Sequence, residues 1–253
     1  MEKRSQPQTS PFDEAALYDA LAGGDKRLER EGPLLQRLLT SAPRMTAVDT
    51  ACGTGLHALF LAEAGAEVDA VDLSEGMVAF AARRRPHARI RYRAGDMCAP
   101  LGGPYGLAIC LGNSLSLLPD ADALRAAFRA VAEALAPGGR YLAQVLNYAA
   151  PAAREPRRRI ERRAIDGGQV TTVKNLVPEG DRTFLNIAHL VATDVRTEML
   201  SDTALLWNWD LAALEAAGEE AGLTLCETLG GFDESPYTAE SSSDLITVFR
   251  RPA

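Results

Sequence analysis

The stretch Val48-Asp49-Thr50-Ala51-Cys52-Gly53-Thr54-Gly55 constrains the fold more than any other segment. A short apolar run ends on a carboxylate, and a glycine turn opens into the alanine- and leucine-rich segment 56–64. A second run, 67–72, then ends on another acid, Asp72. Strand, glycine turn, helix, strand and acid are the parts of a βαβ unit, which receives a nucleoside-bearing ligand at its strand ends. The alternation continues along the chain. Strands are expected at 45–50, 66–71, 89–93, 106–111 and 140–146, and helices at 55–64, 74–85 and 120–135. Ser74 is placed to cap one helix, and Pro137-Gly138-Gly139 to stop another. Short links between alternating strands and helices imply a parallel sheet covered on both faces.

Beyond Ala149 the apolar period becomes two, over 169–177, 183–195 and 197–206, which is the pattern of antiparallel strands. Helix 210–221 and strands 223–230 and 244–250 then resume the first pattern. The expected fold is α/β: a Rossmann-like, doubly wound, mostly parallel seven-stranded sheet with an antiparallel insertion and N-terminal capping helices. Residues 1–10 read as a disordered lead, and 11–43 as two cap helices, Pro11–Ala22 and Leu28–Leu39, split by Gly23-Gly24. Residues 44–253 read as the cofactor-binding domain, with its insertion at about 152–206.

Composition narrows the classes. The 253 residues are 47% hydrophobic and 24% charged, ordinary for a globular domain. No apolar run reaches the roughly 20 residues that span a bilayer, so no membrane partner is expected. Residues 1–10 have no apolar signal core, and a cytoplasmic location is the expectation. A net charge of −7 argues against a nucleic-acid partner. Cys52, Cys98, Cys110 and Cys226 are scattered without a CxxC or paired histidines, so no metal site is expected.

Gly53-x-Gly55-x-x-Ala58 fits a loose dinucleotide fingerprint, with Asp72 following 17 residues after Gly55. An oxidoreductase using NAD would, however, bring a pyrophosphate against Asp49, where like charges repel. An amino-acid ammonium would be attracted there. Gly95-Asp96-Met97 follows the third strand and supplies a carboxylate and an apolar side chain for an adenine. Gly53 and Gly55 allow close backbone approach, and Asp72, grouped with Leu73, can accept both ribose hydroxyls. These features together point to S-adenosylmethionine as the cofactor.

At the level of families, the chain resembles the class I S-adenosylmethionine-dependent methyltransferases, whose first motif matches 49–55. Within them it is most similar to the glycine/sarcosine N-methyltransferase-like branch. Ile109-Cys110-Leu111-Gly112-Asn113-Ser114 with Leu118-Pro119-Asp120, Asn147-Tyr148, and Tyr18-Asp19 with Asp25-Lys26-Arg27 carry that likeness. The resemblance implies that Tyr18 sits near the sulfonium and Arg27 binds the methionine carboxylate. Ala51 would contact the methionine through its backbone, Asp72 would hold the ribose, and Asp96 and Met97 would frame the adenine. Leu111 and Ser114 would line the methionine side, and Asn113 would face the acceptor. The branch's acid after Asn-Tyr is Ala149 here, and its carboxylate-clamping arginine falls near Thr203.

The acceptor side rests on fewer residues. Asn147, Tyr148, Trp207 and Trp209 are candidate substrate contacts, and His189 is a candidate general base. The basic run 154–163 reads as a solvated surface strand or as an anion contact. The expected reaction is N-methylation of a small-molecule amine by in-line displacement. O-methylation of a phenol or carboxylate is the alternative, and a non-catalytic cofactor-binding module is a lesser one. A small-molecule acceptor is the expected partner, and a homo-oligomer stays open.

Overall fold

A computed structural model describes residues 15–165, 167–194 and 197–253. The expected lead at 1–10, the start of the first cap helix at 11–14 and the last residue of the expected strand 183–195 lie outside the described residues.

Seven strands form the main sheet: β1 (Thr46–Asp49), β2 (Glu67–Asp72), β3 (Ile90–Ala94), β4 (Tyr105–Cys110), β5 (Leu135–Leu146), β10 (Thr224–Leu229) and β11 (Asp244–Arg250). Their spatial order is β10-β11-β5-β4-β1-β2-β3, and only β11 runs antiparallel to its neighbours. Between and around them lie α1 (Ala15–Leu21), α2 (Gly24–Thr40), α3 (Leu56–Glu63), α4 (Glu75–Arg84), α5 (Ala121–Ala134) and α6 (Leu211–Glu220). The strand order reverses between β1 and β4, which pair in parallel. At such a switch point the connections leave to opposite faces and open a crevice at the carboxyl ends of the strands.

Both faces of the sheet are packed. On one, Leu34, Leu35, Leu38 and Leu39 of α2 and Leu61 of α3 meet Leu107 and Ile109, all without solvent exposure. Burial of each such leucine contributes about 1.5–3 kcal/mol. On the other face Phe128 of α5 meets Tyr141 and Phe249 edge-on, with ring centroids 5.2 and 5.3 Å apart. This is a favoured aromatic geometry.

Two boundaries differ from expectation. The second cap helix begins at Gly24 rather than Leu28, because Gly23 adopts a left-handed φ of 84° and serves as the N-cap instead of a break. The expected strand at 140–146 starts at Leu135, and Pro137-Gly138-Gly139 is absorbed as a register shift against β4.

The second sheet is an antiparallel meander of β6 (Arg157–Ile165), β7 (Gly168–Glu179), β8 (Arg182–Thr193) and β9 (Thr197–Trp207). The basic run is its edge strand β6, where Arg159 and Arg163 pair with Glu161. Charge on an edge strand keeps its free backbone groups solvated and unattractive to other chains.

Candidate functional site

The glycine turn after β1 is held from the second strand. Asp72 accepts from the backbone N–H of Gly53 at 2.7 Å through one oxygen and from Ser74 at 2.9 Å through the other. Ser74 caps α4 by accepting from the Met77 N–H. Gly53 and Gly55 both lie at positive φ, 53° and 83°. A Cβ on Gly55 would stand 2.7 Å from the Tyr92 hydroxyl and 2.9 Å from its ring. Gly55→Ala combines backbone strain with this clash, so it is expected to destabilise the fold by about 2–3 kcal/mol. Urea unfolding of the variant measures this, and an unchanged midpoint would refute it.

Helix α1 is clasped over the same turn. Asp19 accepts from the Thr54 hydroxyl at 2.8 Å and pairs with Arg85 at 2.7 Å, and Arg85 also donates to the Thr54 carbonyl. Tyr18, Arg27, Ala51, Gly53, Leu111 and Ser114 thereby line one crevice. These six sequence candidates come from four separate stretches of chain. Asp19 belongs to the Tyr18-Asp19 pair that carries the family likeness, whereas no role here was expected for His57, which lines the crevice, or for Arg85, which holds Asp19.

Asp49, at the end of β1, is 1% exposed, and its Oδ2 has no hydrogen-bond partner among the described residues. Burial, and secondly the charge of Asp72, push its carboxyl up to about 7 against the stabilising Ala51 N–H. A carboxylate so isolated calls for a cationic donor. The ammonium of an amino-acid ligand fits that requirement, whereas a pyrophosphate does not.

Arg27 shows the opposite polarity. Its Nε donates to Glu31 at 3.0 Å, and its guanidinium approaches Gly112, whose added Cβ would lie 3.2 Å from Nη2. Glu31 is 1% exposed and is also paired with Arg30 at 2.7 Å and with His57 Nε2 at 2.6 Å. Burial pushes the Glu31 carboxyl up, yet its His57, Arg27 and Arg30 partners hold it at about 2. Burial lowers the His57 pKa against the opposing pull of the Glu31 carboxylate.

On the nucleoside side, Leu73 is 78% exposed beside Asp72, an apolar surface left open next to the candidate ribose contact. Asp96 accepts from the Cys98 N–H at 2.8 Å, and Met97 packs against the core. Among the described residues no cluster of His, Cys, Asp or Glu could hold a metal.

The acceptor-side candidates are committed inside the protein. Asn113, at a left-handed φ of 66°, donates to the Tyr148 hydroxyl at 2.8 Å. Its Oδ1 accepts from Ser116 and from the Leu146 N–H. Its amide therefore ties the loop after β4 to the end of β5. Gln144 does the same work, accepting from the Gly112 and Asn113 N–H groups and donating to Asp244. Asn147 donates to the carbonyls of Thr238, Ala239 and Ser242 and accepts from the Tyr237 hydroxyl, which fastens the loop before β11. Trp207 and Trp209 stack at 5.0 Å and donate to the Pro119 and Leu115 carbonyls. The Arg182 guanidinium lies 4.1 Å over the Trp207 ring. The pair buttresses the β4 loop with its N–H groups spent. His189 is 4% exposed, bonded to Thr172 at 2.9 Å within the meander, and is not among the crevice residues.

Comparisons with known proteins agree with this geometry. A family model described as a methyltransferase domain matches residues 47–139. The chain is 34% identical over 131 residues to dTDP-4-amino-2,3,4,6-tetradeoxy-D-glucose N,N-dimethyltransferase of Saccharopolyspora spinosa, covering 50% of this chain and 52% of that protein. It is 32% identical over 190 residues to dTDP-3-amino-3,6-dideoxy-alpha-D-glucopyranose N,N-dimethyltransferase of Streptomyces fradiae, covering 70% of each. The chain thus spans about half the length of the first relative and more than two thirds of the second. The crystal structure of Streptomyces venezuelae DesVI superposes with a TM-score of 0.77 at 26% identity, over 94% of this chain and 98% of that one. By motif, fold and relatives alike, the chain belongs to the class I S-adenosylmethionine-dependent methyltransferases.

Proposed function

We propose that this protein transfers the methyl group of S-adenosylmethionine to an amine on a small molecule, an amino sugar being the substrate class. The observation that carries the reading is the buried Asp49 carboxylate, which has one oxygen unpartnered among the described residues and is bonded to the N–H of Ala51. Ala51 lines the same crevice as Arg27, and the two opposite charges suit a zwitterionic amino acid. The names of the relatives, N,N-dimethyltransferases of dTDP-linked amino sugars, support nitrogen as the acceptor atom. The chemistry of the crevice supports it too. Its one histidine, His57, is tied to Glu31, and His189 is spent on Thr172. A neutral amine needs no base to attack, whereas a hydroxyl does.

Bound in the crevice, S-adenosylmethionine supplies a methyl group already activated on a sulfonium. Arg27 and Asp49 are assigned to its carboxylate and ammonium, Asp72 to the ribose hydroxyls, and Leu73, Asp96 and Met97 to the adenine. Tyr18 on the clasped α1 excludes water, which removes competing hydration at the reacting atoms. Asn113, Tyr148 and the tryptophan pair act by holding the β4 loop in place. Residues 11–43 act as the cap of a cofactor domain, 44–253, whose insertion at about 152–206 faces the acceptor.

Release of S-adenosylhomocysteine against a panel of glycine, sarcosine, nucleotide-linked amino sugars, phenols and carboxylates tests the reading. Turnover is expected with amines, strongest with the amino sugars. Turnover confined to phenols or carboxylates, or none with any amine, would overturn it.

A further inference from the structure

Beside the crevice lies a cluster of four charged and titratable side chains, built around the buried Glu31 and His57, that the methyl-transfer chemistry does not itself require. Glu31, in the middle of α2, takes both Nε contacts of Arg27 at 3.0 Å, one contact from Arg30 at 2.7 Å and one from His57 Nε2 at 2.6 Å. Arg27 precedes it by one helical turn, and His57 reaches it from α3, directly after the glycine turn. Arg30 is 63% exposed in its side chain, so it is the outer member, whereas His57 and Glu31 are both buried.

Three consequences follow from these contacts. An arginine bound through Nε cannot swing its fork, so its terminal nitrogens stay aimed toward Gly112 and the crevice. An imidazole whose Nε2 lies 2.6 Å from a carboxylate oxygen carries a proton on that nitrogen, which sets the ring's orientation. Two arginines against one carboxylate leave the group with a positive charge in excess. Asp49 provides one negative charge on the other side of the glycine turn. The two ends of an amino-acid zwitterion therefore meet opposite, separately built partners.

We propose that Glu31, with His57 behind it, is the positioning residue that gives this protein its recognition of the amino-acid half of the cofactor. Glu31 touches no ligand itself. It acts by fixing Arg27, and the adenosine half is recognised independently at Asp72. The proposal rests on the reading of Arg27 as the carboxylate contact.

The test compares two probes by calorimetry: S-adenosylhomocysteine, which has the amino-acid half, and methylthioadenosine, which lacks it. Glu31→Gln keeps the shape and removes the charge. It is expected to weaken S-adenosylhomocysteine by about ten- to a hundredfold, the range for losing a charge-assisted contact, and to leave methylthioadenosine within about twofold. Parallel loss of both probes, or loss of neither, overturns the proposal. If Glu31→Gln does not fold, His57→Leu is read by the same pair of titrations and the same criteria, because it removes the Nε2 partner of Glu31. Arg27→Ala separates the two levels. If it too leaves the ratio of the two affinities unchanged, the reading of Arg27 has failed; if it alone changes the ratio, the role of Glu31 has failed. Arg30→Ala, which removes the exposed member, is expected to leave both affinities within about threefold, and a larger selective loss would transfer the role to Arg30.

Discussion

Asp49→Asn is expected to make the unliganded protein more stable at pH 8 while weakening cofactor binding about ten- to a hundredfold. The sign follows from the raised pKa. An Asp carboxyl near 7 in the folded chain and 3.8 in the unfolded one binds its proton more tightly when folded. Stability is therefore full below about pH 4 and lost as pH rises through 7, to a total of about 4 kcal/mol. Asparagine cannot ionise, so most of that loss, about 2–4 kcal/mol, returns at pH 8 and vanishes toward pH 4. The same substitution removes the acceptor for the ligand ammonium, at about 1.5–3 kcal/mol of binding. In the parent protein, affinity should also fall by up to about tenfold per pH unit below 7, because the ligand must displace a proton. The variant should show no such slope. Urea unfolding at the two pH values, with calorimetric titration alongside, checks all three. A variant less stable than the parent at pH 8, or binding with the same pH slope, would contradict the account.

The second large effect is expected from Asp72→Ala. Both of its carboxylate oxygens already hold backbone N–H groups, at Gly53 and Ser74, so the side chain organises the turn beside the proposed ribose contact. Its loss should weaken S-adenosylhomocysteine and methylthioadenosine alike, by about 2–4 kcal/mol, since both carry the ribose. That parallel loss distinguishes it from Glu31→Gln. Removal of its charge should also let Asp49 ionise at lower pH, because Asp72 is the second cause of the raised value. The pH midpoint for binding should move down accordingly. Unchanged affinity for both probes would take Asp72 out of the ribose site.

The sheet was legible because its signals are local. The central strands β1 and β4 are short, largely apolar runs closed by a turn, and Asp49, Asp72 and Asp96 stand at or just past the ends of β1, β2 and β3. Strand β6 was harder to read, because its arginines stand in consecutive runs, 157–159 and 162–163, and serve the solvent and its one acid rather than a core. The left-handed Gly23 looked like a break between helices and is a cap. On the cofactor side, motif spacing carried the assignment, since the same backbone path places the same side chains. The Glu31–His57 contact spans 26 residues and no spacing rule reaches it. Asn113, Asn147 and the two tryptophans stood at the right strand ends, but sequence shows where a polar side chain begins and not which partner it is already bonded to. In the folded chain Asn113 donates to the Tyr148 hydroxyl, Asn147 to the Ser242 carbonyl and Trp209 to the Leu115 carbonyl.

The most direct measurement is the destination of the methyl group. The protein is incubated with S-adenosylmethionine carrying an isotope-labelled methyl and with a nucleotide-linked amino sugar, and the label is located by NMR. The account predicts label on the sugar nitrogen, with a second labelled methyl on the same atom at longer times. Label on an oxygen, or label left on the cofactor while both ligands are bound, would contradict it.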